Sequence, residues 1–193
     1  EAVPRSARRA DVILASSEST KRDLVDMLGL PESKIAVVYL GVNRIFRVIK
    51  DVTLLEKTRA RLGLPEKYIL YIGEFSAHKN LPRIIEAYKM LKGQKKIDEK
   101  LVMVGSGSQN EAVARLIKGF GLEDQVFFTG FVSRDDLPAI YNMGRVLVFP
   151  SLYEGFGFPA LEAMACGVPV VTSNISSMPE VAGDAALLVD PFK

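Results

Sequence analysis

The sequence predicts an α/β fold built on a parallel sheet, and three observations carry that expectation. Apolar runs of strand length alternate along the chain with segments of helical period. The runs are apolar throughout, as in strands covered by helices on both faces. Glycine, proline and capping residues fall at the junctions between the two kinds of segment. Strands are read at 11–16, 34–40, 68–73, 100–105, 126–130, 146–151, 168–173 and 185–190. Helices are read at 19–28, 54–62, 81–91, 111–120, 135–143 and 159–166.

Taken in order, Arg5, Arg8 and Arg9 against Glu1 hold the chain's whole formal charge of +2 and read as a solvated helical piece. The strand 11–16 leads to the helix 19–28, which Gly29 closes in the left-handed position past its end. The strand 34–40 runs out at Gly41-Val42-Asn43, and the text to Val52 is irregular. Gly63 ends the helix 54–62 as Gly29 ended the earlier one. In the helix 81–91, Ile84, Ile85, Tyr88 and Leu91 lie on one face at helical spacing. Ser133 ahead of Asp135 and Asp136 reads as an N-cap with acidic first-turn residues. Pro159 suits a first helical turn, and Gly167 lies just past that helix. Residues 176–180 read as a loop entering a short helix.

Two domains are expected, with 1–45 the end of one and 46–193 the other. Six strands follow Tyr68, enough for one doubly wound, Rossmann-like sheet, whereas 1–40 hold only two strands and one helix. Val12, Ile13 and Leu14 are then apolar residues parted from their own sheet, and a mobile or self-associating segment is expected there. The 193 residues contain 25 basic and 23 acidic side chains and no basic stripe with interleaved aromatics, so nucleic acid is not the expected partner. A single cysteine rules out an internal disulfide and fits a reducing compartment. No apolar run approaches the roughly 20 residues that cross a bilayer. A cytoplasmic protein is expected, with peripheral contact at the inner face of a membrane left open through the three arginines. Cys166 reads as a small buried residue.

Three loops carry candidate chemistry. Gly73-Glu74-Phe75-Ser76-Ala77-His78-Lys79-Asn80 follows a strand and opens a helix, where free amides and the helix dipole favour phosphate. Lys79 adds a charge, although His78 stands where a P-loop has glycine, and taken alone the loop reads first as a plain turn with a surface lysine. Gly105-Ser106-Gly107-Ser108 is a tight turn with the beginning of a dinucleotide fingerprint, but position 110 is Asn. Glu154-Gly155-Phe156-Gly157-Phe158-Pro159, with Glu162 in the following helix, offers two carboxylates and two glycines. Carboxylates accept hydrogen bonds from the adjacent hydroxyls of a sugar or ribose, and glycines permit close backbone approach. In the strand order 3-2-1-4-5-6 the first and third loops meet at the point where the order reverses.

At these residues the sequence resembles the C-terminal, donor-binding half of retaining glycosyltransferases of family four, which have the two-Rossmann GT-B fold. Tyr71-Ile72-Gly73 with Lys79-Asn80-Leu81 is similar to that family's phosphate loop. Glu154 and Glu162 match its paired-glutamate signature, and 127–132 and 162–171 resemble its flanking text. The resemblance implies that Lys79 binds the donor diphosphate and Glu162 the ribose hydroxyls. It implies that Glu154 holds the transferred sugar beside the amides of Phe156 and Gly157, with Gly155 in the same turn. Gly73 and His78 would line the phosphate side, and Gly105, Ser106, Gly107, Phe131 and Val132 the nucleobase. Lys79 and Glu154 are the expected catalytic pair, Lys79 offsetting charge that grows on the leaving phosphate. No metal or other cofactor is implied. The substrate is a GDP- or UDP-linked sugar, and the text over 154–191 resembles mannosyltransferases of polysaccharide assembly, which points to a hexose such as mannose. The acceptor, a glycan or lipid-linked glycan, would be bound by an N-terminal domain of which 1–45 is the end, so the piece alone is expected to bind donor without transferring it. The pattern departs from the family at Glu74 and His78, where many relatives carry an arginine beside the lysine. A non-catalytic nucleotide-sugar-binding module and a GT-B-fold epimerase are the alternatives. An NAD dehydrogenase is opposed by Asn110 and by the lack of an acidic residue ending the strand at 126–129.

Overall fold

In the computed structural model, residues 2–105 and 110–193 are described, with side chains from Pro4 onward. The elements are α1 (Ala2–Arg9), β1 (Ile13–Ala15), α2 (Glu18–Leu28), β2 (Ile35–Val37), α3 (Val52–Leu62), β3 (Tyr68–Ile72), α4 (Leu81–Gly93) and β4 (Lys100–Val104). They continue with α5 (Glu111–Gly119), β5 (Val126–Gly130), α6 (Leu137–Met143), β6 (Val146–Phe149), α7 (Phe158–Ala165), β7 (Val170–Ser173), α8 (Met178–Ala182) and β8 (Leu187–Val189). Six strands form one parallel sheet in the order β5-β4-β3-β6-β7-β8. Counted from β3 this is 3-2-1-4-5-6, the doubly wound order the sequence predicts. The order reverses between β3 and β6, where Ile69 pairs with Val146 and Leu70 with Leu147.

The central strands are apolar because helices cover both of their faces: Tyr68, Leu70, Tyr71, Leu101, Val102, Met103, Leu147 and Phe149 are fully buried. Tyr68 stays in this core by donating its hydroxyl to the Ile140 carbonyl at 2.7 Å, and burial raises its pKa. Burial likewise pushes the Cys166 thiol up to about 11, as expected of an inert packing residue. Among the described residues, no helix is long and apolar enough to cross a membrane.

Residues 42–49 lie against this core. Phe46 is buried with its ring edge-on to Tyr141 at 5.7 Å. Asn142 ties the same stretch to α6, its side-chain oxygen accepting from the Ile49 amide at 2.8 Å and its NH2 group donating to the Arg47 carbonyl at 2.9 Å.

A second, two-stranded parallel sheet pairs β1 with β2 over three residues, around a small core of Ala15, Leu30 and Ile35. Ile13 packs on this core while Val12 and Leu14 are exposed, and the segment is seated on the larger sheet's loops by side-chain hydrogen bonds. The segment thus packs on the larger domain, while Val12 and Leu14 remain uncovered. The basic tract is helical, with all three arginines exposed and Arg8 donating to the Leu28 carbonyl.

Several boundaries move for identifiable reasons. β6 stops at Phe149 and β7 starts at Val170 because Pro150 and Pro169 have no N–H for a ladder. β2 stops at Val37 because β1 turns at Ser16–Ser17 into α2, leaving 38–40 unpaired apart from one bond from the Val38 amide to the Ala15 carbonyl. Ser133 does not cap α6. That helix begins at Leu137, with Pro138 in its first turn, and Ser133 closes the preceding turn by accepting from the Asp136 amide through its carbonyl. Gly29, Gly63 and Gly167 all adopt the left-handed conformation past their helices.

Gly105 is a steric requirement of this sheet. Its φ is +149°, and a Cβ there would overlap the Gly73 carbonyl oxygen of the neighbouring strand end, which is backbone and has no room to move. Gly29, at φ +62°, has nothing within 4 Å of the same position. Gly105→Ala is therefore expected to lower stability by about 3 kcal/mol or more, combining overlap with backbone strain. Gly29→Ala should cost only the left-handed penalty of about 1 kcal/mol. Paired urea melts check this, and equal midpoints for the two variants would contradict it.

Candidate functional site

The two loops expected to meet do so at the C-terminal ends of β3 and β6. Leaving β3, Gly73 donates its amide to the Val104 carbonyl, and the Tyr71 hydroxyl donates to the Glu74 carbonyl at 2.6 Å, which pulls the loop back over the sheet. A short 3-10 turn at Ala77–Lys79 follows, and Asn80 sits in the left-handed region at φ 58°. From there its side-chain NH2 group reaches the Pro150 carbonyl at 3.2 Å and the Pro191 carbonyl at 2.8 Å. The Leu152 amide donates to the His78 carbonyl at 2.7 Å. The loops after β3 and β6 are thus fastened to each other through backbone groups. His78 takes part through its carbonyl, and its side chain is exposed.

At the centre of this junction Lys79 Nζ lies 2.6 Å from Glu154 Oε1, with the two side chains only 13% and 12% exposed. The ammonium also stands over the Phe149 ring, 5.1 Å from its centroid. The two catalytic candidates are therefore each other's partners. Such a pair is held by mutual attraction against the cost of dehydrating both charges, so each ion is poorly placed without the other. Ser76 and Ser151, one from each loop, carry buried hydroxyls with no partner among the described residues, leaving each a hydrogen bond to make.

Glu154 is fixed from behind. Its amide donates to Ser176 Oγ at 3.0 Å, and its carbonyl accepts from Ser176 and Ser177 Oγ at 2.8 and 2.9 Å. Ser177 Oγ is also 3.1 Å from the Phe156 carbonyl. The Gly155 carbonyl is taken up by hydroxyls of the N-terminal segment. Gly157, at φ +100°, turns the chain into α7, and a Cβ there would stand 2.6 Å from Met178 Sδ. Phe156 is buried edge-on to Phe158 at 5.3 Å.

Glu162 occupies a neighbouring compartment. Its Oε2 accepts from the buried Tyr141 hydroxyl at 2.8 Å, and it lines a cavity of about 390 Å³ with Gly41, Asn43, Arg134 and Phe158. Burial raises its carboxyl above the ordinary range, opposed by the Tyr141 hydrogen bond and then by the charge of Arg134. A second cleft of about 270 Å³ lies at the ends of β3, β4 and β5, lined by Ile72, Gly73, Glu74, Val104, Gly105, Phe131, Val132 and Leu137. Its apolar walls include Phe131, whose ring is 87% exposed at the rim. The structure thus brings Gly73, Gly105, Phe131 and Val132 together, joins Lys79 to Glu154, and places Glu162 in its own cavity. Ser106 and Gly107 lie outside the described residues.

Tyr141 and Arg134 escape a reading of sequence alone, and the fastening contacts of Asn80 and of Ser176-Ser177 are not legible there. Each is an ordinary residue whose role arises from long-range packing. A faint signal existed at Ser176-Ser177, where two hydroxyls precede a short helix opposite the glutamate loop.

Residues 55–193 match the family described as "Glycosyl transferases group 1", and residues 1–44 match "Glycosyltransferase Family 4". The serotype-specific mannosyltransferase WbdA of Escherichia coli is 35% identical over 187 residues, covering 95% of this chain and 23% of that protein. The O-antigen chain mannosyltransferase B of Escherichia coli is 33% identical, over 94% of this chain and 48% of its own. The chain therefore spans about a quarter to a half of the curated relatives it matches. Among solved structures, sucrose-phosphate synthase from Thermosynechococcus elongatus superposes with a TM-score of 0.81 at 27% identity, covering 99% of this chain and 48% of that one. Anabaena Alr3699/HepE, solved in complex with UDP and glucose, gives 0.83 at 24% identity over 98% of this chain and 52% of its own, a likeness of fold. With a doubly wound sheet, paired loops at its reversal point and a match over residues 55–193, the chain belongs to the glycosyl transferases group 1 family.

Proposed function

We propose that this chain binds a sugar nucleotide and forms the donor half of a retaining glycosyltransferase of family four. The transferred unit in this reading is a hexose, with mannose favoured by the mannosyltransferase relatives. The acceptor is a glycan or lipid-linked glycan held mainly by residues outside the chain. The observation that carries the reading is the Lys79–Glu154 pair at the β3–β6 junction, together with the apolar cleft at the ends of β3, β4 and β5 and the cavity lined by Glu162. The nucleobase is assigned to the cleft beneath Phe131 and the ribose hydroxyls to Glu162. The diphosphate is assigned to Lys79 and the sugar hydroxyls to Glu154.

Chemically, the arrangement suits departure of a nucleoside diphosphate. As the glycosidic bond breaks, negative charge gathers on the phosphate oxygen, and a fixed ammonium in a dehydrated site stabilises it more than water does. The reading assigns this charge to the chain's own Lys79 without a metal. Retention of anomeric configuration enters through the family resemblance. Binding requires Lys79 to exchange its Glu154 partner for phosphate, which frees the carboxylate for sugar hydroxyls.

Calorimetric titration with UDP, GDP, ADP and NAD tests the assignment. One nucleoside diphosphate is expected to bind, with NAD silent. Lys79→Ala and Glu162→Ala should each weaken binding at least about tenfold, equivalent to 1.4 kcal/mol. Glu154→Gln should keep or improve affinity for the bare diphosphate and remove the extra affinity contributed by the sugar. Absence of nucleotide binding by a demonstrably folded chain would overturn the proposal.

Glu162 adds a pH-dependent test. Its pKa is raised on folding, so its stabilising contribution is complete below the unfolded-state value and is lost as pH rises through the folded value. Without ligand, this contribution should fall from the ordinary carboxylate range upward, opposing the rise contributed by Glu99 and Asp190, whose carboxyls are lowered, and Glu162→Gln should remove it. At pH 7 this variant is expected to melt at or slightly above the wild type, by less than about 1 kcal/mol after solvent screening, while binding nucleotide more weakly. A variant less stable than wild type at pH 7 would contradict the account.

A further inference from the structure

The N-terminal segment meets the glutamate loop through an unusually complete set of hydrogen bonds. Glu180, on α8, points its carboxylate at the first turn of α2. Its Oε2 accepts from the Glu18 amide at 2.8 Å and its Oε1 from the Ser19 amide at 2.9 Å, and the Tyr39 hydroxyl donates to Oε2 at 3.2 Å. These amides have no intrahelical acceptor, and a carboxylate is the partner that the positive end of the helix dipole favours. Ser17 supplies the remaining cap, its hydroxyl oxygen accepting from the Thr20 amide at 3.0 Å.

The same turn carries a second contact. The hydroxyls of Ser16, Ser17 and Thr20 stand 2.9, 2.8 and 3.1 Å from the carbonyl oxygen of Gly155, the residue after Glu154. Nearby, the Tyr153 hydroxyl donates to Asp23 Oδ2 at 2.8 Å. Glu180 itself lies shortly after Ser176 and Ser177, which hold the amide and carbonyl of Glu154. Two arms thus run from the start of α2 to the glutamate loop. One passes through its hydroxyls to Gly155, and the other through Glu180 and the serines to Glu154.

We propose that Glu180 is a positioning residue for Glu154. By capping α2 it seats the Ser16, Ser17 and Thr20 hydroxyls on Gly155, and by closing the ring it sets where the Glu154 carboxylate stands. The orientation of the N-terminal segment is thereby mechanically linked to the residue assigned to the donor sugar. The link to sugar binding rests on the function proposed above, whereas the link between Glu180 and the glutamate loop stands on the hydrogen bonds alone.

Amide hydrogen exchange, read residue by residue by NMR on the chain and on Glu180→Ala, tests it. Faster exchange is expected at Glu18 and Ser19, which lose their acceptor directly, and also at least tenfold faster exchange at the Glu154 amide, which Glu180 does not touch. Val102, deep in the sheet, should not change. If Glu180→Ala does not fold, Glu180→Gln carries the same comparison. It keeps the shape and one good acceptor oxygen, so smaller changes are expected at the same two places. Faster exchange confined to α2, with Glu154 unchanged in either folded variant, overturns the proposal.

Affinity supplies the second readout. The ratio of sugar-nucleotide to bare diphosphate affinity should fall toward one in Glu180→Ala, while affinity for the bare diphosphate stays within about twofold. An unchanged ratio would reduce Glu180 to a helix cap and overturn its positioning role. If the wild-type chain binds neither compound, the donor-site reading fails, and the exchange result still decides whether Glu180 governs the loop.

Discussion

Everything at this site depends on one constraint, the pairing of β3 with β6 across the reversal of strand order. The two strands are separated in the chain by α4, β4, α5, β5 and α6, yet they lie side by side in register, Ile69 beside Val146 and Leu70 beside Leu147. Their following loops leave the sheet at the same level and in opposite directions of winding, so helices do not fill the space above them. Lys79 and Glu154 can then approach to 2.6 Å, and Asn80 can reach Pro150 from the opposite loop. A different order of the same strands would leave both charges facing solvent on separate loops.

The two glutamates are held by different physics. Glu154 is paired with a cation in a largely dehydrated setting, so the unliganded state already contains an ammonium–oxygen contact that a phosphate would replace. Glu162 has a neutral partner, Tyr141, whose ring is packed edge-on to Phe46 from the 42–49 stretch. Burial without a close counter-ion raises its carboxyl, and the nearby Arg134 offsets only part of that rise. A ligand offering hydroxyl donors would relieve Glu162, and one offering an anion would compete with Glu154. A molecule with both, arranged in that order, fits the pair of compartments better than either group alone.

The sequence made much of this visible because the signals were local. Strands buried on both faces are apolar throughout. Gly105 reads as a turn and Gly157 as a point of close approach, though the neighbours that require them, Gly73 and Met178, emerge only from the fold. A lysine and a glutamate after strands, and a second glutamate early in a helix, are types whose chemistry does not depend on context. What stayed hidden were residues that act across the fold. Ser176, Ser177 and Glu180 are unremarkable in a loop and a short helix, and only the fold sets them against Glu154 and α2. The misplaced start of α6 has the same origin, since Ser133 has the right side chain for a cap but closes a separate turn before Leu137. The way the N-terminal segment docks was not legible either, because its seat is a carbonyl, a carboxylate and the Tyr153 hydroxyl, each contributed from more than 100 residues away.

The central claim is that the β3–β6 junction is a donor-nucleotide site. The most direct measurement is a crystal structure of the chain with the nucleoside diphosphate it binds best. The account predicts phosphate oxygens within hydrogen-bond distance of Lys79 Nζ, ribose hydroxyls on Glu162, the base beneath Phe131, and a Lys79–Glu154 separation longer than 2.6 Å. A nucleotide bound elsewhere, or one bound here with Lys79 still paired to Glu154 and turned from the phosphates, would contradict it.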